Sequence, residues 1–332
     1  MKNHKQFVKI LGVGSYVPGK IVTNDDLSKI IDTSDEWIQT RTGIRERRIA
    51  AADQTTSDLC VCAARKATEN ANIAVDAIDL ILTGTITSDV MFPSTSVFVQ
   101  AKLGLKNIPC FDYNVACSGL QYGIELAWSL IESRRYKNIL LICGDKLSAI
   151  TDWQDRSTCV LFGDGAGAMI LSATENEEEN SIVDVLLGAN GEHSELIILP
   201  AGGSREPASE KTVSERKHFM KMSGRDLFRE AVKIMGNCAQ EILGRNNMST
   251  SDIDFLITHQ ANLRIIDAVR ERLDISPEKV CVTIDKYGNT SASSCIIAID
   301  SLIRSGKIIQ GSKVLTVGFG AGLTWGAAIL KF

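Results

Sequence analysis

An internal repeat constrains the fold of this chain more than any other feature of its sequence. The continuous apolar strand pattern of residues 78–83 returns at residues 253–258, and the segment 129–133 returns at residues 301–305. Every α/β protein alternates strands and helices. Here, however, two pairs of matching segments occur in the same order and are separated by nearly the same number of residues, which indicates an internal duplication. The sequence therefore predicts an α/β protein built from two pseudo-symmetric halves.

The acidic segment 174–180 is the predicted boundary between these halves, residues 1–175 and 176–332. Aligning the repeated serines places Cys117 opposite Asn289, and aligning the repeated strands places His259 opposite Gly84. Each of these positions follows a predicted strand, and ligands of such sheets bind at the carboxyl ends of the strands. We therefore expect Cys117, His259 and Asn289 to lie at one functional end of the molecule.

Composition narrows the class of protein further. The chain has 332 residues, of which 44% are hydrophobic and 23% charged, and its formal net charge of −4 gives no support to nucleic-acid binding. Nine cysteines without a CxxC pair and only four histidines predict neither a disulfide framework nor a metal cluster. No signal peptide and no apolar stretch of membrane-spanning length is evident. The expectation is a cytoplasmic protein without a membrane partner.

Cys117 lies where a strand-like segment, residues 108–115, gives way to a helical pattern that begins at Ser118. A helix N-terminus can lower the pKa of a thiol and make it a nucleophile. By itself, however, the position equally suits a buried structural cysteine, as do the positions of the other eight. Likewise, His259 alone could be a core histidine and Asn289 a turn residue after Gly288.

Five motifs, taken in order, change this interpretation. They are Asp-Glu-Trp-Ile with Thr-Arg-Thr-Gly-Ile at 35–44, Asn-Val-Ala-Cys-Ser-Gly at 114–119, His-Gln-Ala-Asn at 259–262, Tyr-Gly-Asn-Thr-Ser at 287–291 and Gly-Ala-Gly-Leu-Thr-Trp-Gly at 320–326. Together they resemble β-ketoacyl-acyl-carrier-protein synthase III, a thiolase-fold family that starts fatty-acid elongation, over essentially the whole chain. The resemblance implies a layered α-β-α-β-α arrangement with mixed five-stranded sheets.

The resemblance also implies a reaction and its residues. Cys117 would take an acetyl-like group from acyl-coenzyme A, which is a substrate and not a permanently bound cofactor. His259 and Asn289 would then donate hydrogen bonds to the enolate oxygen formed as malonyl-acyl carrier protein loses carbon dioxide. The product would be a β-ketoacyl carrier protein.

An oxyanion hole for acyl transfer is implied at the main-chain N–H groups of Cys117 and Ala321. Many family members carry glycine at the position of Ala321, but a main-chain donor survives this change if φ is negative. The glycines at 318, 320 and 322 also resemble a dinucleotide-binding loop. Residues 323–332 read as a strand where that loop requires a helix, so the dinucleotide interpretation fails.

Substrate contacts follow from the same resemblance. Trp37 and Arg156 match the pair that sandwiches adenine, Arg41 matches a residue near the nucleotide phosphates, and Asn262 matches a contact to the pantetheine arm or to water near the nucleophile. Phe92 matches a residue that crosses a homodimer interface to floor the partner's acyl pocket, which implies a short primer. Ordinary packing or solvation would explain each of these residues singly.

The carrier protein is acidic, and the resemblance places its docking patch at Arg264, Arg229, Arg270 and Arg272. The family's docking helix has two adjacent basic residues where this chain has Glu271 followed by Arg272. This departure leaves the strength of the patch open, and a solvated surface would explain each arginine alone.

Three other functions remain to be separated. A condensing enzyme of the same fold could serve secondary metabolism with a different acceptor. A papain-like cysteine hydrolase also uses Cys, His and Asn, although the duplication and the terminal glycine loop argue against it. A catalytically inactive protein that binds acyl-coenzyme A is the third alternative. Such a protein would not need Cys117, His259 and Asn289 together, and the presence of all three argues against it.

Overall fold

Two mixed sheets form the frame of the protein, and they supply most of its strands. The computed structural model describes residues 6–332. In chain order its strands are β1 (Phe7–Tyr16), β2 (Lys20–Thr23), β3 (Glu46–Ile49), β4 (Leu80–Gly84), β5 (Cys110–Tyr113), β6 (Asn138–Asp145), β7 (Gly165–Thr174), β8 (Ile182–Ala189), β9 (Ile197–Ile198), β10 (Lys221–Met222), β11 (Phe255–Thr258), β12 (Lys313–Gly320) and β13 (Thr324–Lys331).

Helices connect and cover these strands. They are α1 (Asn24–Ser28), α2 (Asp35–Thr42), α3 (Thr56–Asn70), α4 (Thr95–Lys102), α5 (Gly119–Glu132), α6 (Arg156–Cys159), α7 (Glu210–Ser214), α8 (Gly224–Arg245), α9 (Leu263–Arg272), α10 (Ile284–Tyr287) and α11 (Ser293–Arg304). A 3₁₀ turn, Ala116–Ser118, precedes α5. Within residues 6–332 no helix combines the length and the apolar character needed to cross a membrane.

The two large sheets share one topology. The first has the order β1-β7-β6-β4-β5, with β4 parallel to β5 and β6, and β7 antiparallel to β6 and β1. The second has the order β8-β13-β12-β11, with β11 parallel to β12, and β13 antiparallel to β12 and β8. Each strand of the second sheet therefore has a counterpart in the first, which supports the duplication inferred from the sequence.

The second sheet has four strands where five were expected. At the position of β5 it has one residue, Val280, which forms a single parallel bridge to Leu256. The 3₁₀ turn Pro277–Lys279 and α10 lie on either side of Val280 and leave little extended backbone between them. A full ladder cannot form over so short a segment, so this strand is reduced to one bridge.

Three helical layers alternate with the two sheets. The alternation of side chains along β4 explains how one strand serves two layers, since Leu80 and Leu82 face the central core while Ile81 faces the outer core beneath α3 and α4. Helices α5 and α11 occupy the middle layer and are apolar on most sides, as a helix buried between two sheets must be. Helices α8 and α9 cover the second sheet. The predicted α-β-α-β-α thiolase-like arrangement is confirmed.

Candidate active site

Cys117 lies on the 3₁₀ turn between the end of β5 and the start of α5. The turn bends sharply because Ala116 adopts a left-handed conformation with φ of +47°. Ser118 steadies it by donating its hydroxyl hydrogen to the Val115 carbonyl at 2.7 Å. The thiol is thereby presented at the carboxyl end of the first sheet, where ligands of such sheets bind.

The glycine loop after β12 packs directly against this turn. A Cβ atom on Gly320 would lie 2.6 Å from the Cys117 nitrogen, so only glycine allows this approach. Ala321 is not among the described residues with positive φ, whereas Gly322 takes a φ of +132°. The main-chain donor at Ala321 is therefore compatible with its alanine side chain.

Thr324 joins the glycine loop to the turn Ala116–Ser118, the nucleophile turn. No prediction from the sequence concerned Thr324. Its hydroxyl lies 2.9 Å from the Val115 carbonyl, 2.7 Å from the Ser118 hydroxyl and 3.0 Å from the Ala321 carbonyl. One hydroxyl therefore connects both segments that carry the predicted oxyanion hole. The threonine of the Gly-Leu-Thr-Trp-Gly motif was the only sequence signal for it.

His259 follows β11 and is held from two sides. Its main-chain N–H donates to the Val317 carbonyl at 2.8 Å, and its ring Nδ1 lies 2.9 Å from the Ser294 hydroxyl. Burial lowers the pKa of His259 to about 4, against a smaller opposing effect of a hydrogen bond to the Ser291 main chain. The imidazole is therefore neutral near pH 7, the state in which one ring nitrogen donates a hydrogen bond without a full charge.

Gln260, the next residue, locks the position of His259 and was not predicted. It is fully buried, and its Oε1 accepts from the Thr283 main-chain N–H at 2.8 Å. Its Nε2 donates to the carbonyls of Thr258 and Cys281. Such a completely bonded amide fixes the turn that presents the imidazole.

Asn289 is oriented by its own turn. Its main-chain N–H donates to the Leu161 carbonyl at 2.8 Å, and its side-chain Oδ1 accepts from the Ser291 N–H at 2.9 Å. Within residues 6–332 its Nδ2 has no hydrogen-bond partner, and the side chain lines the same cavity as Cys117 and His259. The carbonyl end of the amide is thus engaged, and the donor end is available to a ligand.

Two cavities meet at Cys117. The first, of about 300 Å³, brings together Cys117, His259 and Asn289 and extends to Trp37 and Phe228. The second, of about 450 Å³, lies on the other side of the thiol and is mostly apolar, with walls that include Ile86, Leu147, Ile150, Phe162, Leu199 and Met220. A shallower groove of about 760 Å³ lies elsewhere, beside Asp79 and Lys137, and contains none of the three predicted catalytic residues.

The acidity of Cys117 differs from the sequence prediction. Burial raises the pKa of the thiol to about 12, and a hydrogen bond to the Ser291 hydroxyl opposes this rise. The predicted lowering by the helix N-terminus is wrong in direction, because desolvation of the thiolate is the larger effect. Burial raises the pKa of Cys143 and Cys238 to about 12 as well. Access, not acidity, distinguishes Cys117, since it alone of the nine cysteines lines both cavities.

The predicted coenzyme A contacts cluster at the mouth of the first cavity. The guanidinium carbons of Arg41 and Arg156 lie 4.4 and 4.8 Å from the centroid of the Trp37 ring. Asn262 caps α9 through its Oδ1, which accepts from the Arg264 N–H at 2.9 Å, and its Nδ2 donates to the Arg41 carbonyl at 3.0 Å. Trp37, Arg41 and Asn262 line the cavity, while Arg156 stacks on the ring from outside its lining.

Phe92 lies away from both cavities within its own chain. Phe92 is 83% exposed, and its neighbour Met91 is 80% exposed. The two residues form a small apolar patch on the surface of this chain.

The basic residues separate into two groups. Arg229 and Arg272 line one groove of about 620 Å³ with Arg225 and Lys233, which the sequence analysis missed, and the Arg264 guanidinium lies 5.6 Å from the Phe228 ring in the same region. Arg270 does not join them. Its guanidinium donates to the Ile275 carbonyl at 3.3 Å and pairs with Glu271 at 2.9 Å.

The layered fold and the Cys-His-Asn cavity define a condensing enzyme of the thiolase type. Residues 111–191 match the family described as 3-oxoacyl-[acyl-carrier-protein] synthase III, and residues 243–332 match its C-terminal family. The chain belongs to the β-ketoacyl-[acyl-carrier-protein] synthase III family. It is an acyltransferase that carries out the initiating condensation of fatty-acid synthesis, so the predicted family and enzyme class are confirmed and the papain-like alternative is wrong.

Individual relatives agree over nearly the full length. The chain is 50% identical over 323 residues to a β-ketoacyl-[acyl-carrier-protein] synthase III of Caldanaerobacter subterraneus subsp. tengcongensis, with 97% of each chain covered. It superposes on the 3-oxoacyl-[acyl-carrier-protein] synthase III of Aquifex aeolicus with a TM-score of 0.90 at 43% identity, covering 98% and 100% of the two chains. It also superposes on the priming β-ketosynthase of a polyketide pathway with a TM-score of 0.91 at 34% identity, covering 99% and 97%.

Proposed function

We propose that the chain condenses a short acyl-coenzyme A with malonyl-acyl carrier protein in a ping-pong reaction through an acyl-Cys117 intermediate. The observation that supports this most is the convergence of Cys117, His259 and Asn289 on one cavity that continues past the thiol into an apolar chamber. A thioester can reach the sulfur from one side while its acyl chain enters the other. In this half-reaction the Cys117 sulfur bonds the acyl carbon, the coenzyme A sulfur leaves, and the thiol proton ends on coenzyme A.

The oxyanion hole for acyl transfer consists of the main-chain N–H groups of Cys117 and Ala321. Gly320 brings the loop against the Cys117 nitrogen, and Thr324 holds both segments together. Preorganised main-chain donors stabilise the charge that develops on the thioester oxygen without reorganising during the reaction.

Decarboxylation is the task of the second half. The neutral imidazole of His259, held at Nδ1 by Ser294, donates through Nε2 to the malonyl thioester oxygen, and Nδ2 of Asn289 is the second donor. As carbon dioxide leaves, the electron pair of its bond to carbon forms the enolate that these donors stabilise. The resulting carbanion attacks the acyl-Cys117 carbonyl and displaces the cysteine sulfur.

Coenzyme A enters at the aromatic end of the first cavity. The planar stack of Arg156, Trp37 and Arg41 suits a purine, which would insert between a guanidinium and the indole, and Arg41 also suits a phosphate. In the present conformation the guanidinium groups lie in contact with the ring, so insertion requires one of them to move. Asn262 bridges Arg41 and α9 at the point where the pantetheine arm would pass.

The primer is short, and the protein works as a homodimer. The walls that this chain gives the second cavity, of about 450 Å³, are mostly apolar, and Phe92 is exposed. We infer that Phe92 of each chain forms the floor of the acyl cavity of its partner. Burial of Met91 and Phe92 in the dimer removes the most exposed apolar side chains of the loop. Sedimentation should give a dimer, and Phe92→Ala should lengthen the acyl chains that the enzyme accepts.

The acidic carrier protein docks on α8 and the start of α9. Arg225, Arg229 and Lys233 recur every four residues and therefore share one helix face, next to Arg272 and to Arg264 over Phe228. Arg225 and Lys233 on α8 compensate for Glu271 on α9, which stands where the family has a basic residue. A double variant Arg225→Glu with Lys233→Glu should raise the KM for malonyl carrier protein and leave acylation by acyl-coenzyme A unchanged.

One experiment tests the core of the proposal. The protein is exposed to coenzyme A thioesters of increasing acyl length, and intact mass with peptide mapping reports the site and the preferred primer. Acylation at Cys117 by short primers is expected. Acylation elsewhere, or none, would contradict the assignment.

The similarity to a polyketide priming β-ketosynthase makes a different acceptor the alternative to test. Malonyl-coenzyme A and malonyl carrier protein are offered to the acetylated enzyme in parallel. Condensation with the carrier-bound malonyl group alone supports the fatty-acid role, while equal use of another acceptor supports the secondary-metabolite role.

A further inference from the structure

Ser291, the last residue of the Tyr-Gly-Asn-Thr-Ser motif, contacts each of the three proposed catalytic residues with a different group. Its Oγ accepts a hydrogen bond from the Cys117 Sγ at 3.6 Å. Its main-chain N–H donates to the Asn289 Oδ1 at 2.9 Å. Its main chain also lies near the imidazole of His259 and raises the pKa of that ring, against the larger effect of burial. No role assigned above uses this residue.

The backbone of Ser291 is bent to make these contacts possible. Its φ of +56° lies in the left-handed region, which is unfavourable for a residue other than glycine. The side chain is fully buried, yet it lines the acyl cavity beside Cys117. Residues held in such conformations cluster at functional sites because the surrounding structure must compensate for them.

We propose that Ser291 is the positioning residue of this site, with a hydroxyl that orients and stabilises the Cys117 sulfur and a main chain that aims Asn289 and His259. The inference rests on the proposed roles of these three residues. It adds that a single residue aligns the acyl-transfer group of the first half with the decarboxylation groups of the second.

A buried carboxylate explains why the hydroxyl is needed. Asp145, at the end of β6, accepts hydrogen bonds from Thr85, Thr87 and the Ile86 N–H. The nearby Ser291 hydroxyl lowers the pKa of Asp145, against the larger effect of burial. The negative charge of Asp145 raises the pKa of Cys117. While the thiol is protonated, Ser291 accepts the S–H bond and directs its own proton to Asp145. When the thiolate forms, the same proton turns to sulfur and separates it from the carboxylate.

The sign of the effect follows from this arrangement. A hydroxyl that donates to sulfur favours the thiolate, so its removal raises the pKa of Cys117 further and lowers the thiolate fraction at every pH below that pKa. The other titratable groups around the sulfur are Asp145 on β6, Cys295 on α11 and His259 after β11, and all stay in place when only the Ser291 hydroxyl is removed.

The test compares Ser291→Ala and Ser291→Gly. Both remove the hydroxyl and keep the main-chain groups, but glycine also relieves the left-handed strain. The rate of Cys117 alkylation by iodoacetamide from pH 7 to 10, a measurement that needs no substrate, should fall about tenfold in both variants, the factor that corresponds to one pKa unit. Acetylation by acetyl-coenzyme A should fall by a similar factor, while decarboxylation of malonyl carrier protein should change less than about twofold.

Ser293→Ala is the matched control, because Ser293 is equally buried and its hydroxyl bonds only the Thr290 carbonyl. Its alkylation rate should equal that of the unaltered protein. Unchanged alkylation in Ser291→Ala, or recovery in Ser291→Gly alone, would overturn the proposal, since the second result would show strain and not the hydroxyl as the cause. The unaltered protein separates the two ideas. If its Cys117 is alkylated by iodoacetamide but takes no acyl group from acetyl-coenzyme A, the proposed function is wrong, and the alkylation rates of the variants still test the role of Ser291.

Discussion

The two halves of the molecule present equivalent turns at the starts of equivalent helices, α5 and α11, and the turns differ in the chemical groups that they expose. In the first half a left-handed residue, Ala116, immediately precedes Cys117 and leads into α5. In the second half a left-handed residue, Ser291, follows Asn289 by two positions and leads into α11. The first turn offers a nucleophile and a main-chain N–H, whereas the second offers the side-chain amide of Asn289 as a hydrogen-bond donor.

This difference shows how a duplicated frame can divide a two-step reaction. The repeated sheets fix where the turns lie, but they do not fix their chemistry. Acyl transfer depends on the turn that carries Cys117, and carbanion formation depends on His259 and Asn289. A substitution in the first half should therefore impair acyl transfer more, and a substitution in the second half should impair carbanion formation more.

Cys117→Ala should produce the largest separation of the two steps. Loss of the nucleophile should reduce acyl transfer by at least about 10³-fold, because no second group can hold the acyl chain. Decarboxylation of malonyl carrier protein should persist, as His259 and Asn289 remain. Intact mass and carbon dioxide release measure the two steps. Cys143→Ala is the control, since burial raises the pKa of that thiol to about 12 as well but Cys143 lines neither cavity. Full condensation by Cys117→Ala would refute the assignment.

His259→Ala should impair the opposite step. Removing one enolate donor should slow decarboxylation by about 10² to 10³-fold, whereas acylation of Cys117 should change far less. The control is His218→Ala, because His218 bonds Thr212 outside both cavities. An equal loss in both steps would mean that His259 acts on the thiol and not on the malonyl group.

The pH dependence of decarboxylation sharpens the role of His259. Because burial lowers its pKa to about 4, the neutral donor exists at all higher pH values and is lost only as the pH falls towards 4. Carbon dioxide release by the Cys117→Ala enzyme should therefore show no change that comes from His259 between about pH 8 and pH 5.5. A change centred near 6.5, the ordinary histidine value, would show that the imidazole is not desolvated as described.

Gly320→Ala should have an intermediate effect confined to the first turn. The new methyl group would lie 2.6 Å from the Cys117 nitrogen, and the overpacking should destabilise the fold by about 1 to 3 kcal/mol. Acylation should fall by about tenfold or more as the oxyanion hole is distorted. Gly203→Ala is the control, since a Cβ there meets no atom within 4 Å. Denaturant unfolding and acylation rates measure the two effects, and an unchanged acylation rate would contradict the tight approach.

Ala321→Gly should have the smallest effect. The donor at this position is a main-chain N–H, so acylation should change less than about twofold, and the added backbone freedom should lower stability by about 0.4 to 1 kcal/mol. A large loss of acylation would show that the Ala321 methyl group itself shapes the site.

The sequence predicted the frame and the three central residues because both leave local signals. Apolar runs mark the strands, and Cys117, His259 and Asn289 stand within motifs. The walls of the acyl cavity were not predictable, since Ile86, Leu147 and Met220 come from distant segments that only the tertiary fold brings together. The direction of the Cys117 pKa shift failed for the same reason, because burial of a thiol depends on packing that no local pattern records.

The contacts of the nucleophile turn span most of the chain. Cys117 and Ser291 are 174 residues apart, and Ser118 and Thr324 are 206 residues apart. Each of these contacts requires a large loop of the chain to close before the contact can stabilise it. A partly folded chain with one ordered half therefore holds no working site, and the enzyme becomes active only when its two halves have docked.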